Sequence, residues 1–182
     1  MFTVYTYTIT SQNNSVLIHI FPVRSLLFPL NFPLFQTLTH LDLSDNTLGD
    51  QGIVELFTDL SLVLPKHFTS IILQNNNITK LSADHIQALI HSPTCYLANL
   101  DLTRNLICGS RSGQDYNPIH IINLSNAVEI KNRYLISLNL SYIDLGARCT
   151  LHLFQALKKN DSLLYLNLQG CRVLEQGGIH IG

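Results

Sequence analysis

Along LTHLDLSDNTLGDQG, Leu38 to Gly52, leucines stand at 38, 41, 43 and 48, with Asn46 ahead of the last. Over its length this is neither the alternation of a half-buried strand nor the stripe of an amphipathic helix. The pattern recurs. FTSIILQNNNI aligns Phe68, Ile71, Leu73, Asn76 and Ile78, and LANLDLTRNLI aligns Leu97, Leu100, Leu102, Asn105 and Ile107. LISLNLSYIDL supplies Leu135, Leu138, Leu140, Ile143 and Leu145, and LLYLNLQGCRV supplies Leu163, Leu166, Leu168, Cys171 and Val173. The units start at 38, 68, 97, 135 and 163, in steps of 30, 29, 38 and 28 residues. Self-similarity at such a period marks a stacked array of small units.

Within each unit the L-x-L centre predicts a short strand whose leucines enter a shared core, followed by a turn. The asparagine is expected to bond backbone groups that the turn leaves unpaired, because a buried N–H or C=O without a partner is costly. Ile143 cannot do this and Cys171 can do so only weakly, so the ladder is expected to loosen towards the C-terminal end. Beyond the turn the period changes to that of a helix. Ile53, Leu56, Phe57 and Leu60 share one face, as do Ala83, Ile86 and Ile90, and Leu153, Phe154 and Leu157 behind Thr150. A further helix is predicted from Asn117 as its cap and Pro118 at its first position, with Ile121, Leu124 and Val128 inward. Strand, turn and helix cannot each bury an apolar face alone, but stacked units can.

These residues resemble a known family. LTHLDLSDNTLGDQGIVEL is similar to the leucine-rich repeat of the ribonuclease-inhibitor-like subclass, and the resemblance covers about residues 38–182. It implies an α/β solenoid of about five repeats, curved, with a parallel inner sheet and convex helices. Relatives include protein-binding scaffolds, the activator of the Ran GTPase and the sensor arms of NOD-like receptors. The chain departs from the pattern at Ile143, in the long third unit and in a last unit cut short at LEQGGIHIG. That ending is expected in a piece of a longer array, in a shortened sequence, or in a chain capped by another molecule.

Residues 1–37 stand outside the repeat. FTVYTYTIT and SVLIHIF flank SQNN and predict a two-stranded hairpin that caps the first unit. The apolar run from Val16 to Phe35 holds His19, Arg24 and three prolines, which argues against a membrane span. With 46% hydrophobic residues the chain of 182 residues can bury a sizeable core. Eleven Lys and Arg against twelve Asp and Glu are scattered, so no basic face points to nucleic acid or an anionic membrane. Cys95, Cys108, Cys149 and Cys171 lack a zinc or disulfide spacing and fit reduced thiols of a cytoplasmic or nuclear protein.

Side chains alternate along a strand, so the residues beside the core leucines are expected to face the concave side. The central column reads Asp42, Ile72, Asp101, Asn139 and Asn167, and a second reads Ser44, Gln74, Thr103, Ser141 and Gln169. A third reads Asp45, Asn75, Arg104, Tyr142 and Gly170, and His40 precedes the first strand core position. Arg and Tyr are the types that dominate buried interfaces, which singles out Arg104 and Tyr142. The insertion at 108–118, CGSRSGQDYNP, is a loop by composition and offers Arg111 and Tyr116 as contacts on one rim.

The eight histidines form no recurring set with Ser or Cys, and there is no P-loop, GxGxxG or HExxH. The sequence therefore predicts no catalytic residue, no metal and no cofactor. It predicts a non-catalytic scaffold that binds a partner protein through its concave face, without nucleic acid, membrane or small-molecule substrate. The resemblance allows two others: a GTPase activator of the Ran-activator type, and a sensor segment of a larger multidomain protein.

Overall fold

The structure is a computed structural model that describes residues 15–17, 38–63, 66–108 and 134–173. Strands β1 (Ser15–Leu17), β2 (His40–Asp42), β3 (Ser70–Ile72), β4 (Asn99–Asp101), β5 (Ser137–Asn139) and β6 (Tyr165–Asn167) form one open parallel sheet in chain order. The register is unbroken: Leu41, Ile71, Leu100, Leu138 and Leu166 stand opposite one another. Helices α1 (Gly49–Val63), α2 (Ala83–His91) and α3 (Gly146–Leu157) return the chain, α2 through a short 3-10 turn at Lys80–Ser82.

One continuous core joins strands to helices. Leu41, Leu43, Ile71, Leu73, Leu100, Leu102, Leu138 and Leu140 pack in the same cluster as Ile53, Leu56, Phe57, Leu60, Ile86, Ile90 and Leu153. This is the helical stripe expected from the sequence meeting the leucines of the strands. Burial of such side chains stabilises by about 1.5–3 kcal/mol each. Thr150, aligned with the apolar stripe, is buried by giving its hydroxyl to the Gly146 carbonyl at 2.7 Å.

Of the expected N-terminal hairpin, only Ser15–Leu17 falls within the described residues. It pairs with β2 in parallel, Val16 opposite Leu41, so the sheet extends into the segment ahead of the first unit. The helix expected at 117–128 and the insertion beyond Cys108 lie outside the described residues.

The turns are held by side-chain amides, as their sequence requires. Asn76 Oδ1 accepts from the backbone N–H groups of Asn46 and Leu48, and its Nδ2 donates to the carbonyls of Leu43 and Gln74. Asn105 repeats the arrangement one unit on, accepting from Asn76 and Ile78 and donating to Leu73, Leu102 and Thr103. Asn46 donates to Leu43 and Ser44. Asn76 and Asn105 therefore each tie their own turn to the preceding one. Ile143 breaks the series, having no oxygen to offer Asn105 or Ile107. Cys171 partly restores it, since its thiol donates to the Leu140 carbonyl at 2.8 Å.

A carboxylate strengthens one of these junctions. Asp50, in the first turn of α1, accepts from the Thr79 N–H, the Thr79 hydroxyl and the Ser82 hydroxyl of the next unit. Charge-assisted bonds of this kind are about twice as strong as neutral ones.

Candidate partner-binding face

The sheet face opposite the helices is built from the residues flanking the core leucines. In the central column, several side chains are turned back onto their own strand ends. Asp42 Oδ1 accepts from the N–H and hydroxyl of Ser44, and Asp101 Oδ1 accepts from the Thr103 N–H. Asn139 Oδ1 holds Ser141 by both groups, and Asn167 Oδ1 holds the Gln169 N–H. Asp101 Oδ2 also receives the Asn139 amide at 2.8 Å across the strands. An Asx residue two positions before a turn satisfies that turn locally. The remaining member, Ile72, is half-buried in β3.

The second column is less open than its sequence suggests. Thr103 and Ser141 are buried, their hydroxyls 3.1 Å apart, because each is folded against its Asx partner. The expectation of a continuous solvent-facing row there is corrected to a row interrupted at these two units.

The third column is the best ordered. Asp45, Asn75, Arg104, Tyr142 and Gly170 all have left-handed backbones, with φ of 60, 52, 56, 58 and 71°. For a residue with a side chain this costs on the order of 1 kcal/mol. The cost is offset by hydrogen bonds along the row. The N–H groups of Asp45, Asn75, Arg104 and Tyr142 donate to Gln74, Thr103, Ser141 and Gln169 at 2.9, 2.9, 3.1 and 2.7 Å. Side chains in the row meet accordingly. Asn75 Nδ2 donates to Asp45 Oδ1 at 2.6 Å, and the Arg104 guanidinium stands 5.3 Å from the Tyr142 ring centroid. Tyr142 lies against Gly170, where a Cβ would come within 2.7 Å of Cδ1. Glycine there both accepts the turn and leaves room for the ring.

His40 is exposed at the start of β2, its Nδ1 2.8 Å from the Thr39 hydroxyl. Arg111 and Tyr116 lie outside the described residues. The sequence reading passed over a second group. Tyr134, Ile136, Leu164 and Tyr165 are large and exposed at the entry to β5 and β6, Leu164 at 73% and Tyr165 at 67%. The signal was present. At the position after the first core residue of each unit, Thr39, Thr69 and Ala98 give way to Ile136 and Leu164. Tyr134 packs edge-on against Tyr96 with centroids 4.9 Å apart, which fixes its ring.

The thiols belong to the core. Cys95, Cys108, Cys149 and Cys171 are free and buried. The hydrogen bond between the Cys108 and Cys149 thiols, reinforced by burial, pushes the Cys108 thiol far up, and burial pushes Cys95 and Cys171 up. Neutral thiols of this kind are inert rather than nucleophilic. Among the described residues no group of three or more His, Cys, Asp and Glu is placed to hold a metal ion. Among them, too, no helix is long and apolar enough to cross a membrane.

A family model for the Leucine Rich repeat matches residues 36–57. The match supports a leucine-rich repeat protein. Its span covers the first unit, from the strand β2 through the turn at Asn46 into α1. No curated protein matches the chain. A leucine-rich repeat suggests protein–protein interaction in general, and such families are typically binding modules without catalysis.

Proposed function

We propose that the chain is a leucine-rich-repeat solenoid of the ribonuclease-inhibitor-like type, with about five units, that binds a partner protein through the open face of its sheet. The observation that carries this reading is the row from Asp45 to Gly170, whose backbones are locked in one conformation and whose Tyr142 ring is held between Arg104 and Gly170 while half exposed. An aromatic fixed before binding loses little entropy on contact, which is how a rigid scaffold converts modest area into affinity. The candidate contacts are His40, Asp42, Asp45, Ile72, Asn75, Asp101, Arg104, Asn139, Tyr142 and Asn167, together with Arg111 and Tyr116 of the insertion. A cytoplasmic setting suits the free thiols, and no cofactor is called for.

The test is affinity purification with the wild-type chain, with Arg104→Ala/Tyr142→Ala, and with His85→Ala as a control exposed on α2. The expected result is a partner recovered by the wild type and the control and lost with the double variant. Equal recovery by all three would refute binding through this face. Activation of a GTPase is a separable reading, checked by adding the chain to a panel of GTPases and measuring hydrolysis.

A further inference from the structure

The two ends of the open face differ in chemistry. Towards β2 it carries Asp42, Asp45 and Asp101, whose carboxylates each accept a hydrogen bond from their own frame and have further acceptor capacity. Towards β6 it carries no acid in the aligned columns, where Asn139, Asn167, Tyr142 and Gly170 stand instead. There Ile136, Leu164 and Tyr165, all large and exposed, stand on neighbouring stretches of backbone, the N–H groups of Leu164 and Tyr165 both donating to the Ile136 carbonyl. Exposed aliphatic and aromatic side chains grouped in this way mark a contact surface.

We infer that this face takes an extended protein segment with an apolar anchor on Ile136, Leu164 and Tyr165 and a basic arm running across the strands towards Asp101, Asp45 and Asp42. The inference rests on the concave-face reading and adds the chemistry and direction of the partner. Charge complementarity selects a basic arm over an acidic or neutral one, because the three carboxylates outnumber Arg104, the single Lys or Arg of the aligned columns. The geometry sets the spacing. Strands lie about 4.8 Å apart, so Asp101 on β4 is about 10 Å from β6 and Asp42 on β2 about 19 Å. An extended chain covers about 3.3 Å per residue, which places the basic residues roughly three and six positions from the anchor.

The experiment is selection of a displayed random dodecapeptide library on the full chain, followed by affinity measurement of the selected peptides at two salt concentrations. Enriched sequences are expected to pair an aromatic or aliphatic residue with Lys or Arg three to six positions away. Leu164→Asp and Tyr165→Ala are expected to weaken them at least tenfold. Asp42→Asn with Asp45→Asn is expected to weaken them several-fold and flatten the salt dependence. That pair keeps its turns, since Asn139 and Asn167 already fill the position of Asp42 and Asn75 the left-handed position of Asp45 in this chain. Thermal unfolding of each variant checks that the fold is retained. Peptides lost with Tyr165→Ala but without basic residues would overturn this inference and leave concave-face binding standing. Peptides indifferent to every face variant would overturn both. No enrichment, or a dimer of this chain that Leu164→Asp dissolves, would also overturn it.

Discussion

Residues 38–108 and 134–173 share one backbone plan and fill it differently. In the first region Asn46, Asn76 and Asn105 form an amide series through the core, and the face above is polar, with Asp42, Asp45, Asn75 and Asp101 bonded to their own frame. In the second region Ile143 and Cys171 stand at the amide positions, the thiols of Cys149 and Cys171 lie in the core, and Ile136, Tyr142, Leu164 and Tyr165 are exposed. The comparison separates two jobs that one repeat pattern conceals. Amides and carboxylates organise the frame of the first region, and large exposed side chains stand out from the frame of the second.

The largest expected effect tests the amide series. Asn76→Ala would strip two acceptors and two donors from fully buried surroundings. With about 1–3 kcal/mol for each buried group left unsatisfied, partly recovered by relaxation, the expected loss is about 4 kcal/mol in urea unfolding. A loss below about 1 kcal/mol would mean that the amides do not carry the turns. Gly170→Ala comes next. Its left-handed backbone and the crowding of Tyr142 give an expected loss of about 1–2 kcal/mol, with the Tyr142 ring displaced from Arg104 in the fluorescence or NMR of the ring.

Cys171→Ala should cost less, about 1 kcal/mol, because a thiol is a weak donor, shared here between the carbonyls of Leu140 and Gln169. If this variant proved as costly as Asn76→Ala, the two regions would not differ in the way described. The smallest effect is one of pH. In the folded chain the thiols of Cys95, Cys108 and Cys171 stay neutral above their usual value of 9.0, whereas the unfolded chain releases those protons. The folded state then binds more protons, so stability is fully present below about pH 8.5 and falls as pH rises beyond it. Denaturant midpoints between pH 7 and 10 should show the decline, and Cys108→Ala should reduce its slope.

Much of the frame was legible because leucine and asparagine have few alternatives at their positions. A leucine that must enter a core and an amide that must serve both N–H and C=O groups leave a spacing that survives inspection by eye, and the loss at Ile143 was equally visible. The face was less legible. Asp42 and Asp101 read as free acids, since a single sequence does not reveal that a carboxylate is folded onto the N–H two residues later. Thr103 and Ser141 read as surface for the same reason. Ile136 and Leu164 were hidden by standing beside the core leucines, where an extra apolar residue looks like more core. The thiol of Cys171 replacing an amide was anticipated in kind, though not its bond to Leu140.

The central claim is that most of the partner affinity resides in the region from 134 to 173, with Tyr142 and Tyr165 as its anchors. The direct measurement is titration calorimetry of a captured partner against two variants, Tyr142→Ala/Tyr165→Ala and His40→Ala/Asn75→Ala. The account expects the first pair to weaken binding at least tenfold, about 1.4 kcal/mol or more, and the second pair to change it little. Equal losses, or a larger loss from His40 and Asn75, would contradict it.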